Sequence, residues 1–134
     1  MLRSLALSVL FTLLACVPTA ARAAAAPSLD GRSFAVELVE EDSGKAQGKD
    51  TVGFAAGFGE CENAGKKYGY AKGMCKAMKG KNKDEVLFRF TMTSAEHGEL
   101  LFEGTVQGRA ITGKRTWSKP NKPPIVHRFT GQQQ

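Results

Sequence analysis

The chain has 134 residues, 42% of them hydrophobic, with 19 Lys and Arg against 13 Asp and Glu and a net charge of +6. That length leaves room for one domain with a real but modest core and excludes a second. Only 2 histidines occur, and no G-x-S-x-G, Cys-His or paired-carboxylate arrangement accompanies them, which excludes the common acid/base and nucleophilic machineries. The expectation is a protein that is not an enzyme and uses neither cofactor nor metal.

Met1-Leu2-Arg3 supplies a positive charge, and Ser4 to Leu14 is almost uninterruptedly apolar, the order of a secretory signal. The run is shorter than the roughly 20 apolar residues that a membrane-spanning helix needs. Two processing routes are open. Ala21-Arg22-Ala23 is an A-x-A site, so residues 1–23 read as a signal peptide and residues 24–30 as a short linker. Alternatively, Leu13-Leu14-Ala15-Cys16 resembles a lipobox, with Cys16 as a lipidated first residue and membrane attachment only by that route. Either way the protein is expected to be exported, periplasmic or extracellular, with lipid anchoring as the alternative.

Loss or lipidation of Cys16 leaves Cys61 and Cys75, an even pair in an oxidising compartment, and the two are expected to be disulfide-bonded. The basic excess sits in Lys66 to Lys83, which meets no Asp or Glu until Asp84. That run reads as a solvated loop or as a contact for a protein, a polyanion or an anionic membrane surface. No specific nucleic-acid motif accompanies it.

After the leader, apolar residues recur with period two between breaks rich in Gly, Pro, Asn and Asp. Ser33 to Glu41 alternates through Phe34, Val36 and Leu38. Val52 and Phe54 mark a short second strand, Phe58 to Cys61 a third, and Tyr68 to Met78 a weaker fourth. The clearest strand is Glu85 to Ser94, with Val86, Phe88, Phe90 and Met92 on one face. Leu100 to Gln107, Ile111 to Ser118 and Ile125 to Thr130 follow as a meander with short turns, and His97 reads as a solvated hairpin tip. The fold class is therefore all-β, an antiparallel up-and-down meander of about eight strands closed into a small barrel over residues 31–131, with a polar tail at 132–134.

The stretch Phe102-Glu-Gly-Thr-Val-Gln-Gly-Arg-Ala-Ile-Thr-Gly-Lys-Arg-Thr-Trp117, with Phe129-Thr130-Gly131 and, at the entry, Leu29-Asp30-Gly31-Arg32-Ser33-Phe34, resembles small secreted bacterial lipocalin-like (calycin) proteins. In place of that family's Gly-x-Trp the chain has Gly31-Arg32-Ser33-Phe34. The resemblance implies a small β-barrel, a fold that hosts ligand carriers, inhibitors and structural modules alike.

A barrel of this size has room for packed side chains or for one small ligand. Phe88, Phe90, Phe102 and Trp117 are expected to line an apolar interior suited to a small hydrophobic or carboxylate-bearing molecule. Arg115 is in phase with Ile111 and Trp117, and His127 with Ile125 and Phe129. If the Lys119 to Pro124 turn pairs Trp117 with Ile125, Arg115 lies opposite His127 on the inner wall. Arg115 would then anchor an acidic head, unless it reaches Glu103 or Glu99 or stacks on Phe102. The alternative function is a periplasmic inhibitor or tether acting through loops on a secreted hydrolase or anionic polymer, with Lys119-Pro-Asn-Lys-Pro-Pro124 as the stiffened contact.

Overall fold

Alternating side chains build strands along well over half of residues 27–134, the part of the chain that the computed structural model describes. The leader at 1–23, Cys16 and the first linker residues lie outside the described residues. The strands are β1 (Ser33–Glu40), β2 (Ala46–Ala55), β3 (Phe58–Cys61), β4 (Gly73–Met74), β5 (Lys76–Lys79), β6 (Glu85–Ser94), β7 (Gly98–Gln107), β8 (Ala110–Ser118) and β9 (Ile125–Gln133), with one helix, α1 (Glu62–Tyr68), after β3.

All belong to one antiparallel sheet of order β4-β3-β2-β1-β9-β8-β7-β6-β5. Every neighbour except the β1–β9 pair is also consecutive in sequence, which makes the sheet a meander whose two ends are joined. Only Cys75 parts β4 from β5. The first half of this stretch pairs with β3 through Phe58 and Met74, and the second half pairs with β6 through Lys76 and Arg89. The bridge of Ala71 to Thr93 adds to the same closure. The result is a nearly closed barrel, which leaves little unpaired edge. Through Gln133, β9 stays in the sheet, with Gln132 opposite both Ala35 and Ala110.

The inward faces fill the middle of the barrel. Phe34, Phe90, Phe102, Phe129, Met92 and Ile111 are all fully buried. Phe90 and Phe102 stack with centroids 4.6 Å apart, and Phe54 meets Phe34, Phe88 and Phe90 edge to face. So many rings fit because glycines stand opposite them: a Cβ on Gly113 would lie 2.6 Å from the Phe129 ring, and one on Gly104 2.9 Å from that of Phe88. Gly113→Val should therefore lower stability by about 1–3 kcal/mol through overpacking. Thermal unfolding unchanged from wild type would contradict this.

Two expectations are corrected. Tyr68, expected to open the fourth strand, instead ends a helix that follows Cys61, and the strand begins at Gly73. At fewer than two full turns, α1 is too short to display a helical period. It ends at Gly69, whose left-handed φ of 68° suits glycine, and its closing bonds run from Gly69 N–H to Gly65 O and from Tyr70 N–H to Ala64 O.

The second correction concerns Cys61 and Cys75, which are both free thiols. The β3–β4 register sets Gly73 opposite Gly59 and Met74 opposite Phe58, and the Cys75 N–H donates to Gly57 O. Cys61 thus sits four positions further along β3, an offset of about 13 Å at about 3.3 Å per residue. A disulfide needs Cα atoms within about 7 Å. An even cysteine count reports compartment, not register. Cys61 is buried and hydrogen-bonded to Asp50 Oδ2 at 2.9 Å, and burial together with that carboxylate pushes its thiol well up. A thiol reagent should modify half-buried Cys75 before Cys61, and Cys61 only on unfolding. A Cys61–Cys75 cross-link in a non-reduced peptide map would contradict the register.

Candidate functional site: a polar cup at one end of the barrel

At the end carrying the β6–β7 and β8–β9 hairpins, the apolar filling gives way to a cup of about 370 Å³. This is within the usual size range of small-molecule sites. Its floor comes from β8 and β9, where Arg115 pairs with His127 and Trp117 with Ile125. All four residues line the cup, in the expected register. Arg115 Nη2 lies 3.3 Å from His127 Nδ1. A guanidinium can only donate, so Nδ1 accepts and the imidazole is neutral with its proton on Nε2.

The surroundings agree with that tautomer. His127 is 7% exposed, and its pKa is lowered from 6.5 by burial and then by the Arg115 charge, with Glu40 opposing. Unfolding below pH 6.5 therefore takes up a proton. Stability is fully present above that value and is lost as the pH falls toward the depressed folded pKa. The His127→Gln variant should flatten this acid-side slope in urea titrations, and an identical slope would remove His127 as its source.

Arg115 is half-buried, and its Nε is buried with no hydrogen-bond partner among the described residues. It makes no ion pair there either. Glu103 and Glu99 project to the outside, opposite Lys114 and Ser118, so neither draws the guanidinium away. A buried donor without a partner is costly, and a guanidinium charge without an ion pair makes the floor of the cup a place where an acidic group is stabilised.

The walls include residues that the sequence reading passed over. His97 is a joint rather than a solvated tip: its carbonyl accepts from Trp117 Nε1 at 2.6 Å and from the Tyr70 hydroxyl at 2.9 Å. The His97 ring packs edge-on to Tyr68 at 5.4 Å and against Tyr70 at 6.3 Å. Asp50 enters from β2. Its Oδ1 accepts from the Thr51 and Asn63 amides at 2.7 and 3.0 Å while Oδ2 accepts from Cys61, so its lone pairs are largely used within the protein. Asn63 lies in the first turn of α1, and Asp50 caps that helix from a neighbouring strand. This in turn fixes Tyr68 at the mouth.

Three residues expected at the ligand lie elsewhere. Phe88, Phe90 and Phe102 are 4%, 1% and 0% exposed and pack against one another at mid-barrel instead of lining the cup. Among the described residues no cluster of His, Cys, Asp and Glu suited to a metal occurs. Compared with family models, with curated proteins and with solved structures, the chain has no match.

Proposed function

We propose that this is an exported, non-enzymatic binding protein of lipocalin-like design whose cup holds a small apolar or aromatic molecule bearing a carboxylate. The reading rests on one observation above all: the half-buried guanidinium of Arg115, without an ion pair among the described residues, in a cup walled by Tyr68, Tyr70, His97, Trp117 and Leu100. A carboxylate accepts two parallel N–H bonds from a guanidinium, and the flanking rings offer apolar contact to the remainder of the molecule. Because phenylalanines fill the middle of the barrel, the ligand sits in the mouth and not along the axis. A long acyl chain would project into solvent, so compact acids are favoured.

Trp117 in the cup wall provides the signal for a test. Titration with an aromatic carboxylic acid and with its amide should show the acid binding at least about tenfold more tightly, the value of one charge-assisted hydrogen bond. Equal affinity, or no saturable change with any member of an acid panel, would overturn the proposal.

A further inference from the structure

The outer wall along β3, β4 and β5, down to the β5–β6 hairpin, carries a different surface. The run Lys66 to Lys83 is split by the fold: Lys66 and Lys67 ride on α1 near the cup, and Lys72 pairs with Glu60 at 3.7 Å. Lys76, Lys79, Lys81 and Lys83 are all exposed on β5 and the β5–β6 hairpin, and none forms an ion pair among the described residues. The acids nearest in sequence are Asp84 and Glu85, and Glu85 is held by Asn82 at 2.6 Å.

Large apolar side chains stand on the outer face that carries Lys76, whereas Lys79, opposite the inward Val86, is exposed at the end of β5. Antiparallel partners share a face, so Phe58 lies beside Met74, and Met78 beside Leu87. Met74 is 72% exposed, Met78 63% and Phe58 41%. Strand alternation sets Lys76 between the two methionines. The described chain also enters the barrel beside this wall, where Asp30 Oδ1 accepts from the Gly57 amide at 2.9 Å.

We propose that this outer face docks on an anionic lipid bilayer, with Lys76, Lys79, Lys81 and Lys83 at the headgroups and Phe58, Met74 and Met78 in the interfacial layer. A linear polyanion would use the lysines alone and gain nothing from exposed methionines and phenylalanine. A bilayer interface uses both.

The test is co-sedimentation of the Cys16→Ala protein, so that no acyl chain at position 16 contributes, with phosphatidylcholine vesicles alone or mixed with phosphatidylglycerol. Binding should require the anionic lipid and weaken with salt. The pair K76Q/K79Q should reduce it about twentyfold, at about fivefold per lysine near the surface. The pair M74S/M78S, which keeps every charge, should reduce it about tenfold or more. Circular dichroism of each variant should match wild type, since all four side chains are exposed. Absence of vesicle binding overturns the proposal, as does vesicle binding indifferent to M74S/M78S, or tight binding to heparin with none to vesicles. None of these outcomes bears on the cup, whose acid titration is read separately.

Discussion

Replacing Asp50 with alanine is expected to lower the unfolding free energy by about 3 kcal/mol, because one carboxylate there satisfies donors from three segments. The Thr51 amide, the Asn63 amide and the Cys61 thiol all donate to it. The residue at the helix N-cap, Cys61, offers no side-chain cap of its own, so the loss includes a cap worth about 1 kcal/mol. The remainder comes from leaving buried donors without acceptors, at about 1–3 kcal/mol. Asp50→Asn keeps one oxygen for the two amides but turns an NH2 toward the thiol, and should lose about half as much. Urea unfolding followed by circular dichroism measures both. An alanine variant within about 0.5 kcal/mol of wild type would show that the three bonds are replaced by water at no net loss. A loosened α1 should also weaken ligand binding in the cup, since Tyr68 and its contact with His97 depend on that helix.

Much of this barrel was legible as alternation. The inward sets of β1, β6, β7, β8 and β9 follow directly from the period-two pattern, because each of these strands has one face on the core and one on solvent. The first half of β2, Ala46 to Asp50, was not legible. It is polar on both faces where it rises past the core, and it is held as strand by its register with β1 rather than by its own composition. The same holds in part for Gly73 to Lys79, which reads only as a weak strand until its two neighbours are known. The failed disulfide has a related cause: cysteine spacing in sequence says nothing of which residues a hairpin brings opposite one another.

The site was legible in face but not in height. Period two assigns a side chain to the inside of the barrel, and Arg115, His127, Phe88, Phe90 and Phe102 are all inside. It does not say how far along the axis each one sits. Pairing across the β8–β9 turn supplied that coordinate for Arg115 and His127, near the hairpins, while the three phenylalanines lie at mid-barrel where rings from opposite walls meet. Asp50, Tyr70 and His97 reach the cup from a polar strand start and from connections, where no periodicity exists to read. The one available signal was a polar residue, Asp50, in phase with the inward Val52 and Phe54.

Arg115→Leu should separate binding from folding. If Arg115 is present for a ligand, its removal should weaken carboxylate binding about 100-fold, the loss of a bidentate charge-assisted pair, without reducing stability. The guanidinium is half-buried, lacks an ion pair, leaves Nε unpartnered and faces an imidazole that it keeps neutral. An apolar side chain of similar volume, though shorter, removes that desolvated charge, and such replacements are commonly neutral or stabilising by about 1 kcal/mol or more. The lost bond to His127 Nδ1, worth about 1 kcal/mol, acts in the opposite sense and leaves the net near zero. With the positive charge gone, the pKa of His127 should move back toward 6.5, and the acid-side loss of stability should shrink. Affinity by Trp117 fluorescence, unfolding in urea, and the pH slope of that unfolding make up the measurement. A stability loss above about 2 kcal/mol with affinity for the acid unchanged would make Arg115 a structural residue and remove the anchor from the cup.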